Sequence, residues 1–353
     1  MSETTDHAHW TSKWRCPSNI ALVKYWGKRE FQKPMNPSLS FVLQNSFTEM
    51  RVELTENGDR KVAFDFEGVP STFGARIETY LEYISILKPW VDNYNFKIQS
   101  SNSFPHSAGI ASSASSFGAL ALCIAELDFK FSKKTDAPDF LRQASELARL
   151  GSGSACRSVY PGFSIWGQTQ LFESCSDDYA IPLFEGIHPI FYGLRDAVLI
   201  VDSGIKEVSS SIGHELMNEH IYQHPRIAQA YQNINEIYLA MLTGNREKFI
   251  EIVENEALGL HALMMTSKPS YFLLKPNSLE LINRIRWFRD KAKIPVFFTI
   301  DAGPNIHLLY FTNDELQVKD FIERELIAFC ENGKWIDDRI GMGPERIEAY
   351  TNQ

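Results

Sequence analysis

The chain has 353 residues, 44% hydrophobic and 22% charged, with a formal net charge of -9. That length exceeds what one compact core ordinarily fills, so two lobes are expected of a globular chain. The negative balance argues against a general polyanion binder such as a DNA-coating protein, whereas a small anionic substrate stays compatible, because a few local cations and helix starts outweigh a diffuse negative surface.

In chain order, residues 18–25 and 38–43 read as strands, the second from Leu39, Phe41 and Leu43 at alternate positions. Residues 51–54 and 61–66 read as a strand pair joined by a turn at Asn57-Gly58-Asp59. Helical spacing covers 74–87. A tract of small residues at 107–116 then feeds a helical segment at 117–127. A helix at 138–150 ends at a second such tract, 151–156, and a strand follows at 162–166. From about residue 191 a new set begins: a strand at 197–201, helices at 226–243, 246–265 and 278–291, and strands at 295–300 and 306–311 around the link Asp301-Ala302-Gly303-Pro304-Asn305. A helix is expected at 313–331. The pattern is α+β in two lobes, 1–190 and 191–353, with no internal repeat.

The five cysteines are scattered without CxxC spacing, which suits a reducing compartment better than a disulfide framework or a zinc site. No signal peptide and no run of about 18 apolar residues is present, so no membrane span is expected.

Small side chains let backbone amides approach an anion, and a helix start adds positive potential, so 107–116 reads either as a phosphate cradle or as a tightly packed helix start. It is not a Walker A loop, since no Gly-Lys-Ser/Thr follows. The second tract carries Ser152, Ser154, Arg157 and Ser158, a possible anion site or an ordinary helix end with a surface charge. Lys24, Lys28 and Arg29 form a cation cluster after the first strand, suited to an anionic ligand or simply reaching solvent. Asp301, at a strand end, is a turn former or a base for a substrate hydroxyl. Asp202 has no supporting motif and reads as structural.

Six segments, SNIALVKYWGK (18–28), NPSLS (36–40), SFPHSAGIASSAS (103–115), GSGSACRS (151–158), DAGPN (301–305) and the terminal GMGP, together resemble one family across nearly the whole chain: the diphosphomevalonate decarboxylases of the GHMP small-molecule kinase superfamily. The resemblance implies a two-lobe GHMP-kinase-type fold with ATP, magnesium and a diphosphorylated substrate in the cleft between lobes. It implies ATP-dependent conversion of (R)-5-diphosphomevalonate to isopentenyl diphosphate, with ADP, phosphate and CO2, in isoprenoid biosynthesis. Asp301 would orient or deprotonate the 3-hydroxyl, Arg157 would hold the carboxylate, Asn19 would position Arg157, and Lys24 would keep Asp301 ionised. Tyr25, Lys28, Ser152, Gly153, Ser154, Ser210 and Ala302 would join Arg157 in holding substrate. Asn102, Ser107, Gly109, Ala111, Ser112 and Ser113 would face ATP, with Ser113 at the metal.

Pro37, His106 and Ser211 depart from the family pattern. The resemblance also implies a cytoplasmic homodimer without a nucleic-acid or membrane partner. Alternatives are a phosphomevalonate decarboxylase, a 3-kinase of the same superfamily, or a non-catalytic ligand sensor on the same fold.

Overall fold

The computed structural model describes residues 9–56, 60–71, 73–105, 110–133, 137–204 and 208–347. Two long antiparallel strands, β1 (His9–Val23) and β2 (Ser38–Glu56), form its spine. Around them lie β3 (Val62–Phe66), β4 (Val69–Pro70), α1 (Phe73–Leu87), β5 (Tyr94–Asn102), α2 (Ser112–Ser132), α3 (Ala137–Gly151), β6 (Phe163–Trp166) and β7 (Ala180–Leu183). The remaining elements are β8 (Leu194–Leu199), α4 (Ser210–Glu215), α5 (Gln223–Thr243), α6 (Arg246–Thr266), α7 (Pro276–Ala292), β9 (Phe297–Thr299), β10 (Ile306–Phe311), α8 (Glu315–Phe321), β11 (Trp335–Arg339) and β12 (Glu345–Arg346).

The first sheet runs β12-β1-β2-β5-β3-β4, with β6 and β7 branching from β2, and the second runs β11-β8-β10-β9. This is the mixed α+β class anticipated from the sequence, built on two sheets. Residue 190 falls between β7 and β8, and the last strand, β12, returns to the first sheet beside β1 at Trp14↔Arg346.

Packing explains why these segments adopt these forms. Helix α2 is buried over nearly its whole circumference from Ala114 to Phe129, as expected of a helix apolar on every face, and lies against β1 and β2. Strand β2 is covered on both faces from Ser38 to Leu43 and alternates beyond that. The apolar ends of β1 and β2 do not stop at the first sheet. Ile20, Leu22 and Phe41 share one core with Phe191, Val198, Phe249 and Phe297 of the second half. That continuous core is the floor of the cleft.

Several expected elements differ. Residues 51–54 and 61–66 are not paired: β5 lies between β2 and β3, pairing with β2 from Thr48↔Asn102 to Glu56↔Tyr94, while β3 runs parallel to β5. Turn chemistry at 57–59, which lies outside the described residues, says that the chain turns but not which strand it meets. The nine-residue β5 simply offers β2 a longer ladder than the five residues of β3. The first strand also ends at Val23, leaving Lys24 and Tyr25 outside the ladder. The 313–331 helix is α8 only to Phe321, followed by a wider π turn over Ile322–Leu326. Leu326 lies five residues beyond Phe321, and the wider winding returns it to the same buried face.

The tail is stitched to the first sheet by Gly341, whose amide donates to the Val42 carbonyl at 2.7 Å while its own carbonyl accepts from Gly162 at 3.0 Å. A methyl at Gly341 would run into the Leu43 carbonyl. Gly341→Ala is expected to destabilise the fold by about 1–3 kcal/mol, read as a lowered midpoint in urea unfolding.

Candidate active site

A cleft of about 410 Å³ opens above the shared core, lined from both halves of the chain. At its base Lys24, just past β1, sends its ammonium to Asp301 Oδ1 at 2.7 Å, with only 2% of the lysine side chain exposed. Asp301 follows β9 and starts a tight link held from three sides. Its carbonyl accepts from the Gly303 amide at 2.7 Å and lies 3.1 Å from His261 Nε2. Ser278 donates to the Pro304 carbonyl at 2.6 Å, and Asn305 Oδ1 accepts the amides of Val201 and Asp202. The carboxylate is therefore presented by a clamped turn, on residues beyond the last strand pairing, where side chains are free to face the cleft.

Arg157 ends a single helical turn, Gly153–Arg157, and is 2% exposed. Its Nε donates to Asn19 Oδ1 at 3.4 Å and its Nη1 donates to Ser38 Oγ. The Asn19 amide is fixed in turn by donating to the Ser154 carbonyl at 3.0 Å and to Ser158 Oγ at 2.7 Å. No carboxylate of the described residues lies within ion-pair distance of Arg157. Burial lowers its pKa, an effect opposed by nearby charges that include Asp301. A guanidinium removed from water with only neutral partners is suited to an anionic ligand.

The two small-residue tracts converge here. Ser113, in the first turn of α2, has its hydroxyl 3.3 Å from that of Ser152. The α2 N-cap is Ala111, with no side-chain cap, so the first amides of this 21-residue helix are left for another acceptor. Gly153 is required by close approach: a Cβ there would stand 2.7 Å from Tyr25 Oη and 2.9 Å from the Trp166 ring. The Tyr25 hydroxyl is itself buried without a hydrogen-bond partner among the described residues.

The cleft thus brings together Asn19, Lys24, Tyr25, Lys28, Ala111, Ser112, Ser113, Ser152, Gly153, Ser154, Arg157, Ser210, Asp301 and Ala302. It does not include Asn102, whose Oδ1 instead accepts from Thr48 Oγ1 at 2.8 Å on the β2–β5 ladder. Ser107 and Gly109 lie outside the described residues, as does His106.

Arg76 and His214 are among the lining residues that escaped the sequence reading. Arg76 of α1 lies over the Phe73 and Phe117 rings, 5.0 and 5.3 Å from their centroids. In a helix it looked like a solvated charge, and nothing local marked its direction. His214 of α4 accepts the Gly27 amide on Nδ1 at 3.0 Å and lies between Tyr25 and Trp26, centroids 4.4 and 4.5 Å away.

Among the described lining residues, Lys24, Lys28, Arg76 and Arg157 face a single carboxylate, Asp301. In a chain of net charge -9 this is a local anion site, and its helix start, glycines and hydroxyls fit phosphate groups. No group of three or more His, Cys, Asp or Glu side chains that could hold a metal ion occurs among the described residues. Magnesium takes oxygen ligands, and the Ser113 hydroxyl at the α2 start is an oxygen donor that fits such an ion. No helix of the described residues is long and apolar enough to cross a membrane.

Comparison with known proteins agrees in kind. Residues 16–177 match the diphosphomevalonate decarboxylase-like N-terminal domain and residues 197–341 the mevalonate 5-diphosphate decarboxylase C-terminal domain. A diphosphomevalonate decarboxylase of Candida albicans is 30% identical over 312 residues, 83% of this chain and 82% of the relative. A phosphomevalonate decarboxylase of Haloferax volcanii is 27% identical over 315 residues, 88% and 89% of the two chains. A solved structure described as MDDEF in complex with MVAPP, AMPPCP and magnesium superposes with a TM-score of 0.82 at 27% identity, covering 97% of this chain and 100% of that one.

His214 supplies a test of the geometry. Burial, followed by the charges of Lys28 and Arg157, pushes its pKa down to about 3, and an Nδ1 that accepts an amide must leave the proton on Nε2. The ring is expected to stay neutral, as the Nε2–H tautomer, from pH 8 down to about pH 5, measured by 15N NMR of histidine-labelled protein. An imidazolium signal at pH 6 would contradict the placement of this ring.

Proposed function

The chain belongs to the diphosphomevalonate decarboxylase family, and on that premise we propose that it converts 5-diphosphomevalonate to isopentenyl diphosphate, ADP, phosphate and CO2. The observation that carries the residue assignments is one cleft holding a buried arginine, without a carboxylate partner among the described residues, beside a clamped lysine–aspartate pair.

ATP, with magnesium on its phosphates, supplies the phosphoryl group that makes the tertiary 3-hydroxyl a leaving group. Asp301 orients that hydroxyl and accepts its proton, and Lys24, 2.7 Å away, favours the charged form of the carboxylate. Arg157 holds the substrate carboxylate by its guanidinium fork, with Asn19 fixing the arginine. Once phosphate has left, the electron pair of the breaking carbon–carboxylate bond closes the alkene. The charge of Arg157 keeps the departing group oriented until then. Tyr25, Lys28, Ser152, Gly153 and Ser154 take the diphosphate end, Ser210 and Ala302 also meet the substrate, and Tyr25 gains a partner for a hydroxyl that has none among the described residues. Ala111, Ser112 and Ser113 meet the nucleotide phosphates at the α2 start, with Ser113 at the metal. Ser107 and Gly109 keep the nucleotide role that the family resemblance implies, and Asn102 is given no contact because its side chain accepts from Thr48. A cytoplasmic homodimer is the compartment and assembly that the family resemblance suggests.

A second reading, turnover of the monophosphate, is kept by the 27% identical phosphomevalonate decarboxylase of Haloferax volcanii. Mass-spectrometric product analysis with ATP, magnesium and each substrate separates the two. Isopentenyl diphosphate formed from the diphosphate alone is the expected outcome, and turnover of the monophosphate alone would reassign the substrate.

Two substitutions test the roles. Asp301→Asn preserves shape and removes charge, so turnover is expected to fall about a hundredfold or more with ligand binding retained, in steady-state assays and calorimetry. Arg157→Ala is expected to lower kcat/KM for the mevalonate substrate about 30-fold or more. A change confined to nucleotide affinity would remove Arg157 from the substrate site.

A further inference from the structure

Lys24 lies where the β1–β2 ladder has ended, its last pair being Val23↔Leu39. It is 2% exposed, so its peptide N–H and C=O both need partners within the protein. They find them on two helices of the other half of the chain. The N–H donates to Glu256 Oε2 of α6 at 2.8 Å, and the carbonyl accepts from Arg226 Nη2 of α5 at 3.1 Å and from Asn36 Nδ2 at 2.9 Å. Arg226 and Glu256 also meet fork to fork, Nη1 to Oε1 at 2.7 Å and Nη2 to Oε2 at 2.6 Å, and Asn233 Nδ2 donates to Oε1 at 2.5 Å.

Each oxygen of Glu256 therefore accepts two hydrogen bonds, which fills the acceptor capacity of a carboxylate. That saturation matters because Glu256 is the carboxylate bonded to the Lys24 amide, on the same residue whose ammonium serves Asp301. With its oxygens occupied and its charge balanced by Arg226, it cannot draw the ammonium away, and the ammonium goes to Asp301. A buried ion pair is a weak argument for stability by itself, since well-packed apolar residues often serve as well. This pair grips both peptide groups of one lysine instead. Arg226 and Glu256 are 4% and 0% exposed at the side chain and do not line the cleft, so they act through Lys24 and touch no ligand.

We propose that Arg226 and Glu256 form a positioning unit that fixes the Lys24 backbone from the opposite half of the chain and directs its ammonium to Asp301. The proposal rests on the reading of Asp301 as the group that meets the reacting hydroxyl.

A double-mutant cycle tests it, with ADP release as the kinetic signal and CO2 followed in parallel. Arg226→Lys keeps the charge and removes the fork, and kcat is expected to fall about tenfold with the KM values for ATP and 5-diphosphomevalonate within about twofold. Glu256→Asp draws the carboxylate back from the Lys24 amide and is expected to behave alike. In a Lys24→Met background, where no ammonium remains to be aimed, Arg226→Lys is expected to leave the residual turnover unchanged. Wild-type kcat in both single variants, a loss carried by KM alone, or the same tenfold loss repeated in the Lys24→Met background would overturn the proposal. A wild-type protein that releases ADP but no CO2 would sink the decarboxylase reading instead, and the cycle would stay interpretable because ADP release reports phosphoryl transfer.

Discussion

A lysine and an aspartate 277 positions apart in sequence meet at 2.7 Å, and the cleft is organised around that meeting. A buried ammonium without a counter-ion is strongly destabilising, so the Lys24 end of β1 and the Asp301 turn after β9 must arrive together. Once they pair, the lysine charge is spent on the aspartate. Arg157, Lys28 and Arg76 are then the cations left to attract ligand. The site is therefore selective in a simple electrostatic sense: among the described lining residues one carboxylate, paired to Lys24, lies among cations that favour anionic groups around it.

The pair keeps its geometry because little beneath it can yield. The ends of β1 and β2 share a dense apolar core with β8, β9 and α6, and interiors packed to crystal-like density move as units. Polar restraints point the same way. Asn19 holds Arg157, Asn305 and Ser278 hold the Asp301 link, and Asn36 joins the grip on Lys24. Short amides and hydroxyls suit this work because they lose little side-chain entropy on fixing. The glycines serve where even a methyl group is too large, as at Gly153 under Tyr25 and Trp166.

Much of this was legible in the sequence, and the limits of legibility are physical. The site segments could be read because six of them resemble one family in order along the chain, whereas GSGSACRS by itself reads equally as a helix end with a surface charge. The β2 strand was underestimated because Ser46 and Thr48 are buried polar residues, Thr48 being satisfied by Asn102 and Ser115, so the apolar alternation that marks a strand is missing there. The resemblance implies a nucleotide contact for Asn102, and its side chain accepts from Thr48 on the β2–β5 ladder. Arg226 and Glu256 look in sequence like ordinary charges on surface helices. Their partner, the Lys24 peptide, is a backbone group, and backbone partners leave no trace in side-chain pattern. His214 is similar, since it binds the Gly27 amide.

The return of β12 to the edge of β1 bears on how the molecule is made. Trp14 pairs with Arg346, and the Arg346 guanidinium reaches Glu126 of α2, which also accepts from Ser12 and Trp14. During synthesis the opening strand thus emerges long before the segment that covers its edge, and an uncovered strand edge is a template for unwanted pairing. The ladder between the two ends of the chain closes the largest loop available to the described residues, which makes it a late event in folding. The strand made first therefore keeps an unpaired edge at Trp14 and Arg15 until the segment made last joins it.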